Sequence, residues 1–153
     1  MDLVDRKILN LLQSDASLTV KQIAGQVHLS ITPCWKRIQK LETQGIIRAR
    51  VALLDPEKVD ANVTVFVAIK TDQHTTQWIE HFSSAISDMP EVMEIFRMSG
   101  EVDYLLKVVV SSIDAYDRFY KNLVDRIELS NITSSFAMEQ MKYTTALPIK
   151  AGD

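Results

Sequence analysis

The stretch Leu18–Gly45 (LTVKQIAGQVHLSITPCWKRIQKLETQG) carries the clearest structural pattern in the sequence. Thr19 and Gln22 stand three positions apart, which is the spacing of a capping box, and they predict the start of a short helix. Apolar residues at helical spacing continue as far as His28, where the pattern breaks. A short capped helix that ends in a tight turn is the first half of a helix-turn-helix.

A second helix is predicted after this turn. It is expected to begin near Ser30 or near Thr32, and in the latter case Pro33 takes the first helical position, where its missing N–H costs nothing. Gly45 is expected to follow the C-cap, because glycine readily adopts the left-handed conformation found there. The two helices together complete the helix-turn-helix pattern.

The two faces of this second helix differ in chemistry. Cys34, Ile38 and Leu41 lie within about 60° of one another at 100° per residue, so they are expected to face the scaffold. The opposite side offers cations and neutral hydrogen-bonding groups, and Glu42 is the only acid in the helix. Such a face suits a groove between phosphates, which predicts contact with double-stranded DNA. The predicted DNA-binding residues are Ser30, Thr32, Lys36, Arg37, Gln39, Lys40 and Gln44.

The charge distribution supports this prediction. Residues 1–50 contain eight basic and four acidic residues, a net charge of +4, whereas residues 51–153 carry −7. A basic N-terminal part joined to an acidic remainder indicates that the N-terminal part meets a polyanion. This part also begins with a further predicted helix, which Asp2 caps and in which Ile8 and Leu12 belong to one apolar face.

Arg48–Val51 follow the second helix as a short extended segment. Two interpretations are open for it: a wing beside the helices, with both arginines near backbone phosphates, or a plain connector. Pro56 then marks a linker. We therefore expect a DNA-binding domain over residues 1–50 and a linker over residues 51–61.

Residues 62–153 show the pattern of a second domain in which strands alternate with helices. Apolar residues at helical spacing predict two helices, one that includes Trp78 and Phe82 and one over Ile113–Ile127. β-Branched and aromatic runs between turn residues predict four strands. The predicted strands are Asn62–Lys70, Glu91–Met98, Tyr104–Val110 and Ile132–Lys142.

The order βαββαβ predicts a ferredoxin-like sandwich, in which an antiparallel sheet carries both helices on one face. The whole chain is thus expected to be an α+β protein, with an N-terminal winged helix-turn-helix and a C-terminal ferredoxin-like domain. The other face of such a sheet is open, and its edges invite pairing. Dimerisation through the sheet is the simplest way to cover its apolar residues.

The sequence offers no pattern for catalysis. His28, His74 and His81 are scattered, no His/Cys/carboxylate spacing typical of a metal site occurs, and the four glycines form no phosphate loop. Cys34 is expected to be a buried apolar residue, with a redox switch as the alternative. We therefore predict no enzyme activity, no cofactor and no metal.

Membrane and export signals are absent from the sequence as given. No apolar run approaches the roughly 18 residues that a bilayer span requires, and the N-terminus does not have the pattern of a signal peptide. A single cysteine allows no internal disulfide. These features predict a soluble cytoplasmic protein that does not interact with membranes.

Ser99–Tyr104 (SGEVDY) is the best candidate for a small-molecule site. A glycine turn exposes backbone N–H groups, and Asp103 is suited to hold an ammonium group while Ser99 is suited to hold a carboxylate. The alternative interpretation is an ordinary β-turn with solvated acids. Hydroxyl groups near the start of the last predicted strand are weaker candidates, namely Thr133, Ser134 and Ser135.

The sequence strongly resembles the Lrp/AsnC (feast/famine) family of bacterial and archaeal regulators. The resemblance covers nearly the whole chain and rests on Leu3–Leu12, Leu29–Arg37, Leu41–Ile46, Ser99–Tyr104 and Met138–Glu139. Three segments are similar to a cysteine-responsive branch of the family, and they are Thr32–Arg37 (TPCWKR), Ala52–Lys58 (ALLDPEK) and Thr133–Gln140 (TSSFAMEQ).

This resemblance implies an amino-acid effector, with cysteine as a candidate, held between C-terminal domains of the RAM type. It also implies dimers that often assemble into octamers or related rings. His28 departs from the family, which often has glycine in the turn, so the geometry of this turn is an open point. The effector residues that the resemblance implies are Ser99, Gly100, Asp103 and Tyr104, with Thr133, Ser134 and Ser135 as weaker candidates.

The leading prediction is therefore a DNA-binding transcriptional regulator of amino-acid metabolism that responds to a small molecule. Two alternatives stay open. Some proteins that resemble this family are enzymes that decarboxylate sirohaem intermediates, although this sequence lacks the histidine pair that such chemistry needs. The other alternative is an architectural DNA-binding protein without an effector.

Overall fold

The computed structural model of the protein describes residues 1–150. The chain folds as two units, of which the first combines Met1–Leu53 with the C-terminal segment that begins at Met141, and the second is Leu54–Gln140. The C-terminal segment thus packs with the first unit, whereas the sequence placed it in a domain over residues 62–153. The last three residues of that expected domain lie outside the described residues.

The first unit contains three helices, α1 (Leu3–Ser14), α2 (Val20–Gln26) and α3 (Ile31–Thr43). Both predicted caps are present: Asp2 accepts from the N–H of the third helical residue of α1, and Thr19 does the same for α2. The apolar faces of the three helices meet in one core. Its buried members are Ile8, Leu9, Leu12, Ile23, Ala24, Val27, Cys34, Ile38 and Leu41.

Of the two predicted starts of α3, the one at Ser30 is confirmed and the one at Thr32 is wrong. Ser30 is the N-cap, although its side chain makes no capping hydrogen bond. Gly45 follows the C-cap with φ +69°, as expected. The Gly45 N–H donates to Glu42 O and the Ile46 N–H donates to Leu41 O (2.9 and 3.0 Å), which is a Schellman motif.

The turn between α2 and α3 has the same geometry without a glycine. His28 lies in the left-handed region with φ +55°, and the N–H of Leu29 donates to Ala24 O at 2.9 Å. A side chain with a Cβ is strained in this conformation by about 1–2 kcal/mol. His28 in place of glycine therefore lowers the stability of the turn, but the helix-turn-helix motif is still formed.

Replacing His28 with glycine is expected to stabilise the first unit by roughly 0.5–1 kcal/mol, because the relief of strain exceeds the larger chain entropy that glycine gives the unfolded state. Amide hydrogen exchange of α2 measures the effect locally. Gly45→Ala provides the matched control and is expected to destabilise the same unit by about 1 kcal/mol. Faster exchange in His28→Gly would contradict the strain at this turn.

The segment after α3 forms no β-strand. Arg48–Val51 are exposed and have no regular secondary structure, and the next regular element is a 3₁₀ turn over Pro56–Val59. The guanidinium of Arg50 donates to the carboxylate of Glu42 at 2.8 Å, so this segment runs close to the end of α3. The two interpretations of the segment, wing or connector, therefore both remain compatible with its backbone.

The second unit has the predicted βαββαβ order, and its sheet is antiparallel with the strand order β2-β3-β1-β4 of a ferredoxin-like sandwich. Its elements are β1 (Val63–Lys70), α4 (Thr76–Ser87), β2 (Val92–Arg97), β3 (Tyr104–Val110), α5 (Ile113–Arg126) and β4 (Asn131–Phe136). The expectation that the last strand runs to Lys142 is wrong. The N–H of Ala137 donates to Thr64 O beside the first residue of β1, so the partner strand ends there.

One face of this sheet is covered by α4 and α5 and forms the core of the second unit. Alternate residues of β1 and β3 point into it, so that Val65, Val67 and Leu106 are fully buried. The opposite face is uncovered in the single chain. Phe66 and Phe96 are 40% and 48% exposed there.

The C-terminal segment is bound to α1 by side chains that recognise its backbone. The Gln13 side chain donates to Leu147 O (2.8 Å) and accepts from the Leu147 N–H (2.9 Å), as a neighbouring β-strand would. Asn10 and Arg6 donate to the carbonyls of Ile149 and Lys150 at 3.3 and 3.0 Å. The segment therefore belongs to the first unit.

Candidate functional site

The outward face of α3 is the first candidate site. Its buried stripe consists of the three predicted residues, since Cys34 is fully buried and Ile38 and Leu41 are each 2% exposed. The side chains opposite this stripe are exposed and include no acid, so the surface is basic and rich in hydrogen-bonding groups. They belong to Thr32, Lys36, Gln39, Lys40 and Thr43.

The only acid of α3 is neutralised within the same unit. One carboxylate oxygen of Glu42 accepts from Arg50 at 2.8 Å, and the other accepts from the Gln39 amide at 3.0 Å. Neither oxygen is therefore left to repel a phosphate from this face. Gln39 is correspondingly engaged at its amide nitrogen, although it was predicted as a DNA contact.

Arg37 connects α3 to α1. Its Nη1 lies 2.7 Å from Oδ2 of Asp2 and 2.7 Å from Oδ1 of Asp5. The backbone N–H of Asp5 and, next, this guanidinium hold the pKa of the Asp2 carboxyl below its usual range, and the two carboxylates raise the pKa of Arg37. The predicted DNA contact Arg37 thus also holds α3 against the start of α1 through its Nη1 atom. Lys36 and Lys40 are the cations of α3 that make no ion pair among the described residues.

Cys34 lies beneath α3 in the core of the first unit. Burial raises the pKa of its thiol, an effect only partly offset by Arg37. The neutral thiol is a poor nucleophile, and its side chain fills space as a small apolar group. This environment favours the packing role over the redox switch.

Two exposed apolar residues on α3 were not predicted as part of this surface. Trp35 and Ile31 are 50% and 52% exposed, which is unusual for side chains of this size. The sequence did hold a signal for Trp35, because it stands 100° from Cys34 and therefore lies off the buried stripe. Both residues flank the basic face near the start of the helix.

The second candidate site is the turn between β2 and β3. Gly100 has φ +128°, a conformation that favours glycine. The N–H groups of residues 99–102 donate to no protein acceptor among the described residues. Successive unpaired N–H groups in such a turn form a concavity that suits an anion.

Asp103 is held in place by three hydrogen bonds. Its N–H donates to Ile69 O at 3.0 Å, and its carbonyl accepts from the N–H of Met98 at 2.8 Å. One carboxylate oxygen accepts from the N–H of Thr71 at 2.9 Å. The other oxygen has no hydrogen-bond partner within the described residues and remains available for a cation.

The register of the sheet brings three further polar residues to the same end of the strands. Ile69 of β1 is opposite Tyr104 on one side and Ile132 on the other, so the end of β1 and the starts of β3 and β4 coincide. Asp72 and Ser130 meet there, since the Asp72 N–H donates to Ser130 Oγ (3.2 Å) and Ser130 donates to Asp72 (3.0 Å). These residues and Thr71 were missed, because only the pairing of distant strands brings them to the end of the sheet at which Asp103 lies.

Among the remaining predicted effector residues, Tyr104 and Ser134 turn their side chains to the helix side of the sheet. Tyr104 is 6% exposed and packs against the rings of Phe82 and Trp78, on the helix side of the sheet. Ser134 faces the same side and is hydrogen-bonded to Tyr116. Thr133 and Ser135, by contrast, are exposed on the other side of β4, as the alternation of a strand requires.

No group of three or more metal-ligating side chains is assembled within residues 1–150. The helices of the described chain include none that is long and apolar enough to span a membrane.

The sequence matches two family models that together cover almost the whole chain. Residues 1–48 match a winged helix-turn-helix DNA-binding domain, and residues 64–147 match the Lrp/AsnC ligand-binding domain. The chain belongs to the Lrp/AsnC family. As an Lrp/AsnC protein it is a DNA-binding transcriptional regulator with a ligand-binding domain, and the predictions of family, of the α+β fold and of a non-enzymatic function are confirmed.

Individual relatives agree with this assignment. The Lrp/AsnC chain is 51% identical over 151 residues to the DNA-binding transcriptional activator DecR of Escherichia coli K12, with 98% of this chain and 99% of that protein covered. It is similar to the crystal structure of an AsnC family transcriptional regulator from Agrobacterium tumefaciens, with 58% identity, a TM-score of 0.94 and 97% of both chains covered. A Neisseria meningitidis transcriptional regulator solved as a complex with L-Met has 34% identity, a TM-score of 0.91 and 97% and 96% of the two chains covered.

Proposed function

We propose that the outward face of α3 enters the major groove of DNA, with Lys36 and Lys40 as the main phosphate-binding cations. The observation that carries this proposal is the neutralisation of Glu42, which leaves a face without a free carboxylate. Trp35 stands at the edge of the same face and offers an apolar surface to thymine methyl groups. Gln44 remains a predicted contact at the end of the helix.

The start of α3 supplies a second element of the DNA contact. Ser30 and Thr32 are exposed, and the Ser30 side chain caps no N–H of the helix. The first N–H groups of a helix are free by construction and carry a partial positive charge, so they attract a phosphate. Ser30 and Thr32 then anchor the backbone of the DNA while the lysines lie along the groove.

The effector is an amino acid bound at the turn of residues 99–104. The unpaired N–H groups of this turn receive its carboxylate, and the free oxygen of Asp103 receives its ammonium group. Cysteine is the first compound to test because of the resemblance to the cysteine-responsive branch, and methionine is the second because a relative was solved with L-Met. Ser99 completes the polar rim.

The uncovered face of the sheet is the dimer interface in this proposal. Phe66 and Phe96 are half exposed in the single chain, and a second copy would bury them. A dimer also presents two α3 helices to successive major grooves about one helical turn apart, and octamers follow by further association of dimers. Because its target is chromosomal DNA, the regulator acts in the cytoplasm.

A thermal-shift screen with amino acids tests the effector site. A ligand that binds only the folded protein stabilises it, by about 2.7 kcal/mol at a hundred times Kd, so the melting temperature should rise by several degrees. Asp103→Asn should abolish this rise, because the neutral amide no longer attracts the ammonium group while its oxygen still accepts from Thr71. Glu101→Gln removes an exposed charge from the same turn and should leave the rise unchanged.

Two outcomes would contradict the effector site. An unchanged thermal shift in Asp103→Asn would place the ligand elsewhere in the protein. If no amino acid raised the melting temperature, the result would favour the architectural DNA-binding protein without an effector.

A further inference from the structure

A cavity of about 400 Å³ lies in the second unit, away from both sites described above. One wall is a face of α5, and the others are the end of β3, the residue before β2 and the residues that precede β1. Its volume falls within the range of small-molecule sites, which is roughly 300–1,000 Å³. The polar side chains of its lining include Asp60, Glu91, Ser111, Arg118 and Asn122.

This cavity is distinct from the turn at residues 99–104. It adjoins Val110, the last residue of β3, whereas the turn precedes Tyr104, the first. Six residue steps along a strand separate the two ends by roughly 20 Å. A molecule in the cavity therefore does not touch Asp103.

The charges that line the cavity are not paired with one another. Asp60 and Glu91 carry carboxylates and Arg118 a guanidinium, yet no ion pair within 4.0 Å joins any of them to a described residue. Glu91 is partly withdrawn from solvent, where an unpaired charge is more costly than at the surface. A ligand in the cavity that carries charges of both signs would pair with these three side chains.

The donors of the cavity lie on one helix. Arg118 and Asn122 are one turn apart on α5, so their side chains are neighbours. The Asn122 carbonyl oxygen accepts from Arg126 at 2.8 Å, which leaves its amide hydrogens free to donate. A guanidinium with a neighbouring amide donor binds a carboxylate.

The apolar part of the lining is buried. Val110 is 5% and Phe119 is 2% exposed, so they form a floor for the aliphatic part of a ligand. Asp60 lines the cavity from the segment that precedes β1 and has a left-handed backbone, φ +54°. The two carboxylates and one guanidinium of the lining are complementary to a ligand that has two cationic groups and one carboxylate.

We propose that this cavity is a binding site for a basic amino acid, whose carboxylate contacts Arg118 and Asn122 and whose two cationic groups contact Asp60 and Glu91. The site does not depend on the effector proposed for the turn of residues 99–104. A ligand bound in this cavity would be a second effector of the regulator, with a chemistry different from that of the first.

Titration calorimetry of the full chain with L-lysine, L-ornithine and L-arginine tests this site. Wild-type protein should bind at least one of them, and Arg118→Met should weaken the binding roughly tenfold or more, since a charge-assisted contact is lost while the aliphatic stem stays. Glu91→Gln should weaken it by a similar factor. Lys121→Met is the matched control, because Lys121 lies on the same helix and pairs with Asp117 outside the cavity lining.

Asp103→Asn separates this proposal from the effector site and should leave the binding of the basic amino acid unchanged. Loss of that binding in Asp103→Asn would move the ligand to the turn of residues 99–104 and overturn the cavity site. No binding of any of the three compounds at millimolar concentration, or equal binding by Arg118→Met of confirmed fold, would overturn it as well. Arg118 is exposed, so its replacement does not disturb the core.

Discussion

Replacing both Lys36 and Lys40 with alanine is expected to weaken DNA binding by roughly a hundredfold or more at low salt. These are the two cations of α3 that make no ion pair, and each is exposed on the outward face. If each contacts one phosphate, a dimer loses four contacts. The slope of log affinity against log salt then falls by about 0.9 for each lost contact.

Fluorescence anisotropy with a random-sequence duplex at several salt concentrations measures this slope directly, because phosphate contacts do not depend on sequence. The matched control is Lys58→Ala combined with Lys121→Ala, which removes the same charge from the second unit. This control should retain most of the affinity. An equal loss in the control would mean that only net charge matters, and an unchanged slope in the α3 variant would exclude this face.

The backbone of the protein was largely predictable from local sequence. The limits of β3 agree with the expectation because the run Tyr104–Val110 is bounded by turn residues on both sides. The buried stripe of α3 follows from helical periodicity at Cys34, Ile38 and Leu41. These features depend on neighbours within one turn or one strand, and such information is local.

The sites were only partly predictable, because they depend on residues that are distant in sequence. Arg37 was expected on the DNA face, whereas its ion pairs with Asp2 and Asp5 were not expected, because these residues lie more than thirty positions away at the start of α1. Asp103 was identified from the turn itself, whereas Thr71 reaches it only through the register of β1 and β3. Periodicity gives the face of a residue and does not give its partner across the fold.

The same limit explains the C-terminal segment. Its residues show no helical or strand periodicity, and they are fixed by the Gln13 side chain and its neighbours on α1. Because the side chains of α1 bind the backbone of the C-terminal segment, this contact imposes no pattern on the side chains of the segment itself. The sequence therefore assigned residues 141–150 to the domain that precedes them in the chain.

The largest effect on stability is expected from Phe82→Ala. Phe82 is 1% exposed and lies at the centre of an aromatic cluster, with ring centroids 5.0 Å from Trp78 and 4.5 Å from Tyr104. Its removal leaves a cavity that costs about 3–5 kcal/mol. Since a domain of this size has a total stability of about 5–15 kcal/mol, the second unit should be close to unfolding.

Urea denaturation followed by tryptophan fluorescence measures this loss, and Trp35→Phe as a background leaves Trp78 as the reporter of the second unit. Phe82→Leu keeps most of the volume and should cost less than about 1.5 kcal/mol. Ser83→Ala, an exposed neighbour on α4, should stay within about 0.5 kcal/mol of the parent. If Phe82→Ala lowered the free energy of unfolding no more than Phe82→Leu does, the aromatic cluster would not be a main source of the stability of the second unit.

Because Tyr104 follows Asp103 directly and rests on the Phe82 ring, the same variant links packing to ligand binding. Under conditions where Phe82→Ala is still folded, the turn of residues 99–104 should be less ordered, so faster hydrogen exchange is expected there. Amino-acid binding should weaken in parallel, since the order of the turn must then be restored on binding. Weakened binding without faster exchange in the turn would show instead that the cluster acts on the ligand by another route.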